Sequence, residues 1–324
     1  MNLLSSTLQH WLASCHLTEY EVDALPSDAS FRRYFRLRRG EQSYIVMDAS
    51  SERTSCLPFV AIANALRAHQ LHTPDIIASD FLAGFLLISD FGDRLFLHQL
   101  NHANKTERYT LAIDALILLQ RCQEVSGWPL PVFTEQFMRD ELRLFQDWFL
   151  TKQMGWVPST TLQHQLNRVF DYLAASAAKQ PRVFMHRDYH SANLMLLPDE
   201  TLGILDFQDA FMGPITYDLV SLLRDCYIDW PDQFVDENVK TFWQRLELPS
   251  VSLEEFRVWF DFMGMQRHMK ALLTFSRKYQ RDDNPQYLQY IPRTLQYLLS
   301  VSQRYSECLP LHRCLTEVKA QCAE

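Results

Sequence analysis

Over the first 90 residues the apolar positions recur with the short period of strands. Phe35-Arg36-Leu37-Arg38 alternates apolar and charged residues, Tyr44-Ile45-Val46-Met47 is apolar and β-branched, and Gly84-Phe85-Leu86-Leu87-Ile88 is the unbroken run of a buried strand. Between them residues 58–69 carry helical spacing, and Pro74 interrupts the chain before a short strand at 76–80. From about residue 105 the period changes to three and four, which predicts helices over 107–120, 134–150, 162–178, 215–226, 253–279 and 292–305. One segment departs from this half: residues 182–207 read as strand, loop, strand, turn, strand. The pattern predicts an α+β chain of two lobes. A small β-rich lobe with a leading amphipathic helix spans 1–90, a larger helical lobe with a β-hairpin island spans 91–324, and the junction falls near 88–93.

Composition narrows the function more than the fold. There are only eight glycines in 324 residues, and no two fall in the G-x-G-x-x-G or G-x-x-x-x-G-K spacings that cradle phosphates. A nucleotide, if bound, is held another way. The net charge of -8 argues against a protein that neutralises many nucleic-acid phosphates. Seven scattered cysteines with no C-x-x-C pair suggest reduced thiols in the cytoplasm and no zinc site. Apolar runs fall far short of the roughly 18 residues of a membrane span, and the N-terminus has neither the basic leader nor the apolar core of a signal peptide. The expectation is a soluble cytoplasmic chain without nucleic-acid or membrane partners, a monomer in the simplest case, with oligomers left open.

The chemistry gathers in the island. His186-Arg187-Asp188-Tyr189-His190-Ser191-Ala192-Asn193 is followed by Leu205-Asp206-Phe207-Gln208-Asp209. Phosphoryl transfer from MgATP needs a carboxylate near the acceptor hydroxyl and hard oxygen ligands for magnesium. Asp188, after the apolar run 183–185, fits the first role; Asn193 and Asp206 fit the second. His186 reads as a brace for the loop, Arg187 as a phosphate partner or a surface charge, and Asp209 as a cap or a second metal contact.

This set resembles the aminoglycoside phosphotransferase and choline kinase-like branch of the protein-kinase-like fold, in which H-x-D-x-x-x-x-N precedes a metal-binding aspartate. Longer stretches, Asp28 to Arg36, His186 to Asn193, Leu205 to Ala210, Gly213 to Tyr227 and Met263 to Lys270, are similar to the anomeric amino-sugar kinases of cell-wall recycling. The resemblance implies ATP and Mg2+ as cofactors, Asp188 as catalytic base, Asn193 and Asp206 as metal ligands, and a small amino sugar, N-acetylmuramate or N-acetylglucosamine, phosphorylated at its anomeric hydroxyl. It also implies that Asp218 braces the catalytic loop. Asp90-Phe91-Gly92 spells the kinase D-F-G but precedes the catalytic loop, so backbone groups at Ser89, Asp90 and Phe91 are expected at adenine in the hinge, and Asp206-Phe207-Gln208 is the counterpart of D-F-G.

The chain departs from the kinase pattern where a phosphate-binding lysine belongs: Met47 stands there, and residues 59–66 offer no glutamate to pair with one. Ser30, Arg32 and Arg33 are the nearest replacements for both lysine and glycine-rich lid. For the acceptor, Arg224, Asp225, Arg267 and His268 are the expected readers, although Arg267, His268 and Lys270 also fit a solvated basic face. A kinase of another small hydroxyl compound, an aminoglycoside or an amino alcohol, and a nucleotide-binding pseudokinase stay open.

Overall fold

The structure, a computed structural model, describes residues 3–26 and 31–321. In chain order the elements are α1 (Ser6–Ser14), β1 (Glu21–Ala24), β2 (Arg33–Arg39), β3 (Gln42–Asp48), α2 (Cys56–Ala68), β4 (Ile76–Asp80), β5 (Phe85–Ser89), α3 (Phe96–Gln99) and α4 (Lys105–Gln120). There follow α5 (Glu135–Phe145), a π-helical continuation (Gln146–Gln153), α6 (Thr160–Ala178), β6 (Arg182–Met185), β7 (Leu194–Leu196), β8 (Leu202–Ile204) and β9 (Phe211–Pro214). The chain closes with α7 (Tyr217–Leu223), α8 (Asp232–Arg245), α9 (Leu253–Asp282), α10 (Ile291–Ser302) and α11 (Leu309–Gln321). The α+β plan expected from the hydrophobic pattern is present, with the antiparallel sheet in the first part of the chain and helices dominating the rest. Among the described residues, β1, α3, β9, α8 and α11 are the labelled elements that the pattern did not mark, and the helix expected over 134–150 changes from α to π at Gln146.

Two compact units emerge, one made of the residues up to Leu130 together with Asn193–Ala210, the other of Pro131–Ala192 and Phe211 onward. The first is built on an antiparallel sheet in the order β1-β2-β3-β5-β4. Its registers place Phe35, Val46 and Leu87 side by side on one face, where Leu8 and Leu12 of α1 cover them. Alternation turns Arg36, Ile45 and Ile88 to the opposite face. Gly84 makes the turn into β5 with φ +81, and a Cβ there would come within 2.8 Å of the Ala49 carbonyl oxygen. The β7–β8 hairpin belongs to this unit: Ile204 N–H donates to the His72 carbonyl at 2.8 Å and Leu196 N–H to that of Arg94 at 2.8 Å.

The second unit is helical around α9, whose start is capped by Ser252 accepting from Glu255 N–H, with Glu254 and Glu255 complementing the helix dipole. Its middle turns are buried almost all round, from Trp259 to Met269. A helix hydrophobic on every side is a core element. Among the described residues, the β6–β9 ribbon supplies the one paired sheet of this unit.

Candidate active site

In the first unit a cavity of about 380 Å³, within the usual range of small-molecule sites, opens along the sheet face that carries Arg36, Ile45 and Ile88. Ile45, Phe59, Ile88, Met195 and Leu205 give it apolar walls suited to a flat base, while Arg32, Asn193 and Asp206 give it a polar end. The hairpin explains how Asn193 and Asp206, thirteen positions apart, become neighbours. With Leu194 paired to Ile204, the next rung is Leu205 N–H donating to the Asn193 carbonyl at 3.0 Å, and the Asn193 amide then lies 3.5 Å from the Asp206 carboxylate. Asp206 has φ +59, a left-handed conformation that aspartate tolerates better than most residues.

A divalent cation fits this donor set. The Gln208 amide donates to Asp206 at 2.7 Å, and its own oxygen, buried in a residue only 5% exposed, has no donor. The Asn193 and Asp206 oxygens, with that orphaned oxygen beside them, are the hard ligands magnesium takes. When bound, the ion would neutralise charge on nucleotide phosphates.

The structure separates the two arginines of β2's approach. Arg32 is buried, lines the cavity, and places Nη2 3.8 Å from Asp209; Asp206 and Tyr34 also lie within its field. Arg33 is largely exposed and pairs at 2.5 Å with the buried Asp48 carboxylate. Met47 is fully buried, and α2 has no glutamate, so the usual lysine–glutamate pair has no equivalent here. Ser30 lies outside the described residues. In the expected hinge, Ser89, Asp90 and Phe91 all line the cavity. Ser89 exchanges bonds with Asp75, Phe91 packs on Gly203, and the Asp90 carboxylate accepts from Ser43, Arg36 and the Gly92 N–H.

The second unit holds the loop that carries Asp188, the expected catalytic loop. Two residues inside α7's first turn, Asp218 accepts from the N–H groups of His186 and Arg187 at 2.7 and 3.0 Å, and Arg187 takes a left-handed φ of +76 that swings the chain toward Asp188. Burial pushes the Asp218 carboxyl up to about 7 against the pull of those two donors. His186 is buried and its Nδ1 accepts from Asp188 N–H at 3.3 Å, so it braces the loop. Arg187 pairs with Glu141 of α5 and stacks over Phe211. Burial alone would raise the Asp188 carboxyl, but the Lys270 ammonium at 2.8 Å, with His190 and Arg187 nearby, outweighs it and holds the group well below the ordinary carboxylate range.

The residues expected to read the acceptor also bond to neighbours within this unit, while the buried Arg224 Nη1 has no hydrogen-bond partner among the described residues. Arg224 forms a buried pair with Asp261 at 2.7 Å and lies over Phe260. Asp225 accepts from both the N–H and the hydroxyl of Ser191 and from Tyr227 N–H, which ties the end of the Asp188 loop to the segment after α7. Arg267 donates to Ser221 and to the Cys226 sulfur; His268 places Nε2 2.9 Å from the Arg224 carbonyl and stacks on Tyr297. Arg267 and His268 are buried and Lys270 largely so, which replaces the solvated basic face with a charged core. Sequence reasoning met Lys270 only as part of that run. The available signal was a cation on a helix apolar on all sides, since a buried ammonium requires a partner.

A family model described as the phosphotransferase enzyme family matches residues 21–253. The chain is 39% identical over 327 residues to the N-acetylmuramate/N-acetylglucosamine kinase of Pseudomonas aeruginosa, covering 96% of each, and 36% identical to the protein of that name from Neisseria meningitidis, covering 96% of this chain and 95% of that one. Among solved structures it is similar to an ADP-bound aminoglycoside phosphotransferase, with TM-score 0.63 and 17% identity over 92% of this chain and 99% of the other. It is similar also to the choline kinase of Streptococcus pneumoniae, with TM-score 0.64 and 16% identity over 91% and 98%. With the kinase-like fold, the cavity and the catalytic loop in place, the chain belongs to the phosphotransferase enzyme family and is a kinase.

Proposed function

We propose that this kinase transfers the terminal phosphoryl group of ATP to the anomeric hydroxyl of N-acetylmuramate or N-acetylglucosamine, giving the sugar 1-phosphate for reuse of cell-wall sugars in the cytoplasm. The observation that carries the reading is near end-to-end similarity to curated kinases named for both sugars, in a chain that keeps Asp188, Asn193 and Asp206. Asp188 accepts the proton of the sugar hydroxyl; an anomeric hydroxyl is more acidic than an ordinary alcohol, so a weakly basic carboxylate suffices. Asn193 and Asp206 hold magnesium. Arg32 stands in for the missing lysine at the phosphates, and the segment 89–91 meets the base.

Arg224, Asp225, Arg267 and His268 act under this reading as the floor that positions the catalytic loop. The test is an ADP-release assay with N-acetylmuramate, N-acetylglucosamine, choline and kanamycin, with phosphorus NMR of the product. Turnover of an amino sugar to an anomeric phosphate is expected. Turnover of choline or kanamycin alone would replace the acceptor, and ATP binding without turnover of any acceptor would reduce the chain to a binding module. Asp188→Asn is expected to lose about 10²- to 10⁴-fold in kcat.

A further inference from the structure

Two residues of α9, one turn apart, reach the two consecutive residues at the tip of the catalytic loop. Gln266 donates to Glu141 Oε2 at 3.0 Å, and Glu141 Oε1 accepts from Arg187 at 3.0 Å. Lys270, four positions on and therefore on the same helix face, donates directly to Asp188 Oδ1 at 2.8 Å. The Lys270 side chain is 17% exposed and that of Asp188 35%, so the ammonium is enclosed while the carboxylate stays reachable. A lysine in the closed middle of a core helix is costly, and it is retained here against one specific carboxylate.

We infer that Lys270 is a positioning residue for phosphoryl transfer, an ammonium that fixes the rotation of the Asp188 carboxylate toward the acceptor and keeps it ionised. The inference rests on the reading of Asp188 as the base. In the step, the acceptor O–H bond breaks and its proton passes to Asp188. The oxygen's electron pair forms the new O–P bond, and the bond from the terminal phosphorus to ADP breaks with its pair leaving on ADP. Lys270 keeps all its protons. Its pull makes Asp188 a weaker base, which costs little where the transition state is loose and orientation carries the rate.

The groups that share the field of this pair include Arg187 and His190 on the loop, Glu141 on α5, Tyr217 and the buried Asp218 on α7, and Arg267 on α9. The neighbouring cations favour the ionised carboxylate as Lys270 does, and Lys270 also holds it by a direct hydrogen bond at 2.8 Å. Removing its charge therefore raises the proton affinity of Asp188 and moves the acid limb of the rate profile to higher pH.

Steady-state kinetics from pH 5 to 9 on Lys270→Met, Lys270→Gln and Lys270→Arg test this. The Met and Gln variants are expected to lose about tenfold to a hundredfold in kcat, with the KM for ATP within about twofold of wild type. In wild type the acid limb of kcat/KM set by Asp188 lies below this pH range; in the Met and Gln variants burial without the ammonium should bring that limb into it. Arg, which keeps the cation, should retain most of kcat and the wild-type limb; it carries the test if Met and Gln fail to fold, and an Arg variant that is folded yet as slow as a dead enzyme counts against the inference. Unchanged kcat, or a loss with the acid limb unmoved, overturns it, because a merely structural lysine would not shift the profile. Asp188→Asn in parallel separates the two readings: if it turns over like wild type, the base assignment falls and this inference with it, whereas a dead Asp188→Asn beside an unperturbed Lys270→Met sinks the inference alone.

Discussion

Arg36 grips Asp90 at both carboxylate oxygens, with Nη2 donating to Oδ1 at 3.0 Å and Nε 2.7 Å from Oδ2, and each side chain is only 7% exposed. The same guanidinium reaches Asp93 at 2.6 Å and the Gly92 carbonyl at 2.9 Å. Burial would raise the Asp90 carboxyl, but Ser43, the Gly92 N–H and Arg36 together hold it below its ordinary range. The D-F-G of the chain is thus a structural clasp that fastens β2 to the segment after β5, and its aspartate serves as an anchor.

Removing one partner of that clasp leaves a buried carboxylate uncompensated, which costs about 3–5 kcal/mol. Arg36→Met is expected to lower the thermal midpoint and to raise the KM for ATP, since the residues around Asp90 line the cavity. Adding Asp90→Asn should recover part of the loss. Calorimetry of the single and double variants checks it, and additive losses would show that the two side chains act independently.

Arg32 and Arg33 are adjacent, yet they predict different outcomes. Arg32→Ala removes the buried cation at the polar end of the cavity and is expected to raise the KM for ATP about tenfold or more, the worth of one charged hydrogen bond. Arg33→Ala should leave that KM within about twofold and instead cost about 1 kcal/mol of stability through Asp48. Initial rates against ATP concentration, with a urea melt of each variant, decide between this assignment and its reverse.

His268 makes stability depend on pH. Burial, reinforced by the Arg267 charge beside it, pushes its imidazole down to about 3. The unfolded chain binds a proton there near pH 6.5 while the folded chain does not, so the native state loses stability as pH falls below about 6.5, by up to about 1.4 kcal/mol per pH unit, and recovers it above. His268→Gln cannot charge and should flatten the part of the stability curve between pH 4 and 6.5 that this group supplies. Urea midpoints measured across that range check it; an equal slope in both proteins would assign the acid sensitivity to other groups.

Much of the fold was legible because burial imposes a period. β4 at Ile76–Asp80 coincides with its expected limits, and β2, β3, β5 and α9 differ from theirs by a few residues at the ends. β1 was not legible: Glu21-Val22-Asp23-Ala24 has one partly buried side chain and holds its place through the ladder to β2. α8 and α11 were not marked, although Phe234, Val235, Val239 and Phe242 in the first and Leu311, Cys314, Leu315 and Val318 in the second recur at helical spacing and are buried.

By itself the sequence determined the chemical inventory: a carboxylate after a strand, an amide five positions on and a second carboxylate thirteen beyond that, with no lysine on β3. Those facts are local, since strand ends and hairpin rungs follow from short-range pattern. Which partner each buried cation compensates was decided only by tertiary structure. Arg224, Arg267 and Lys270 look alike along the chain, but the first is spent on Asp261, the second on Ser221 and Cys226, and the third on Asp188. A charge buried in a helical core takes its role from the partner that compensates it, and that partner lies tens of residues away, beyond the reach of any local pattern.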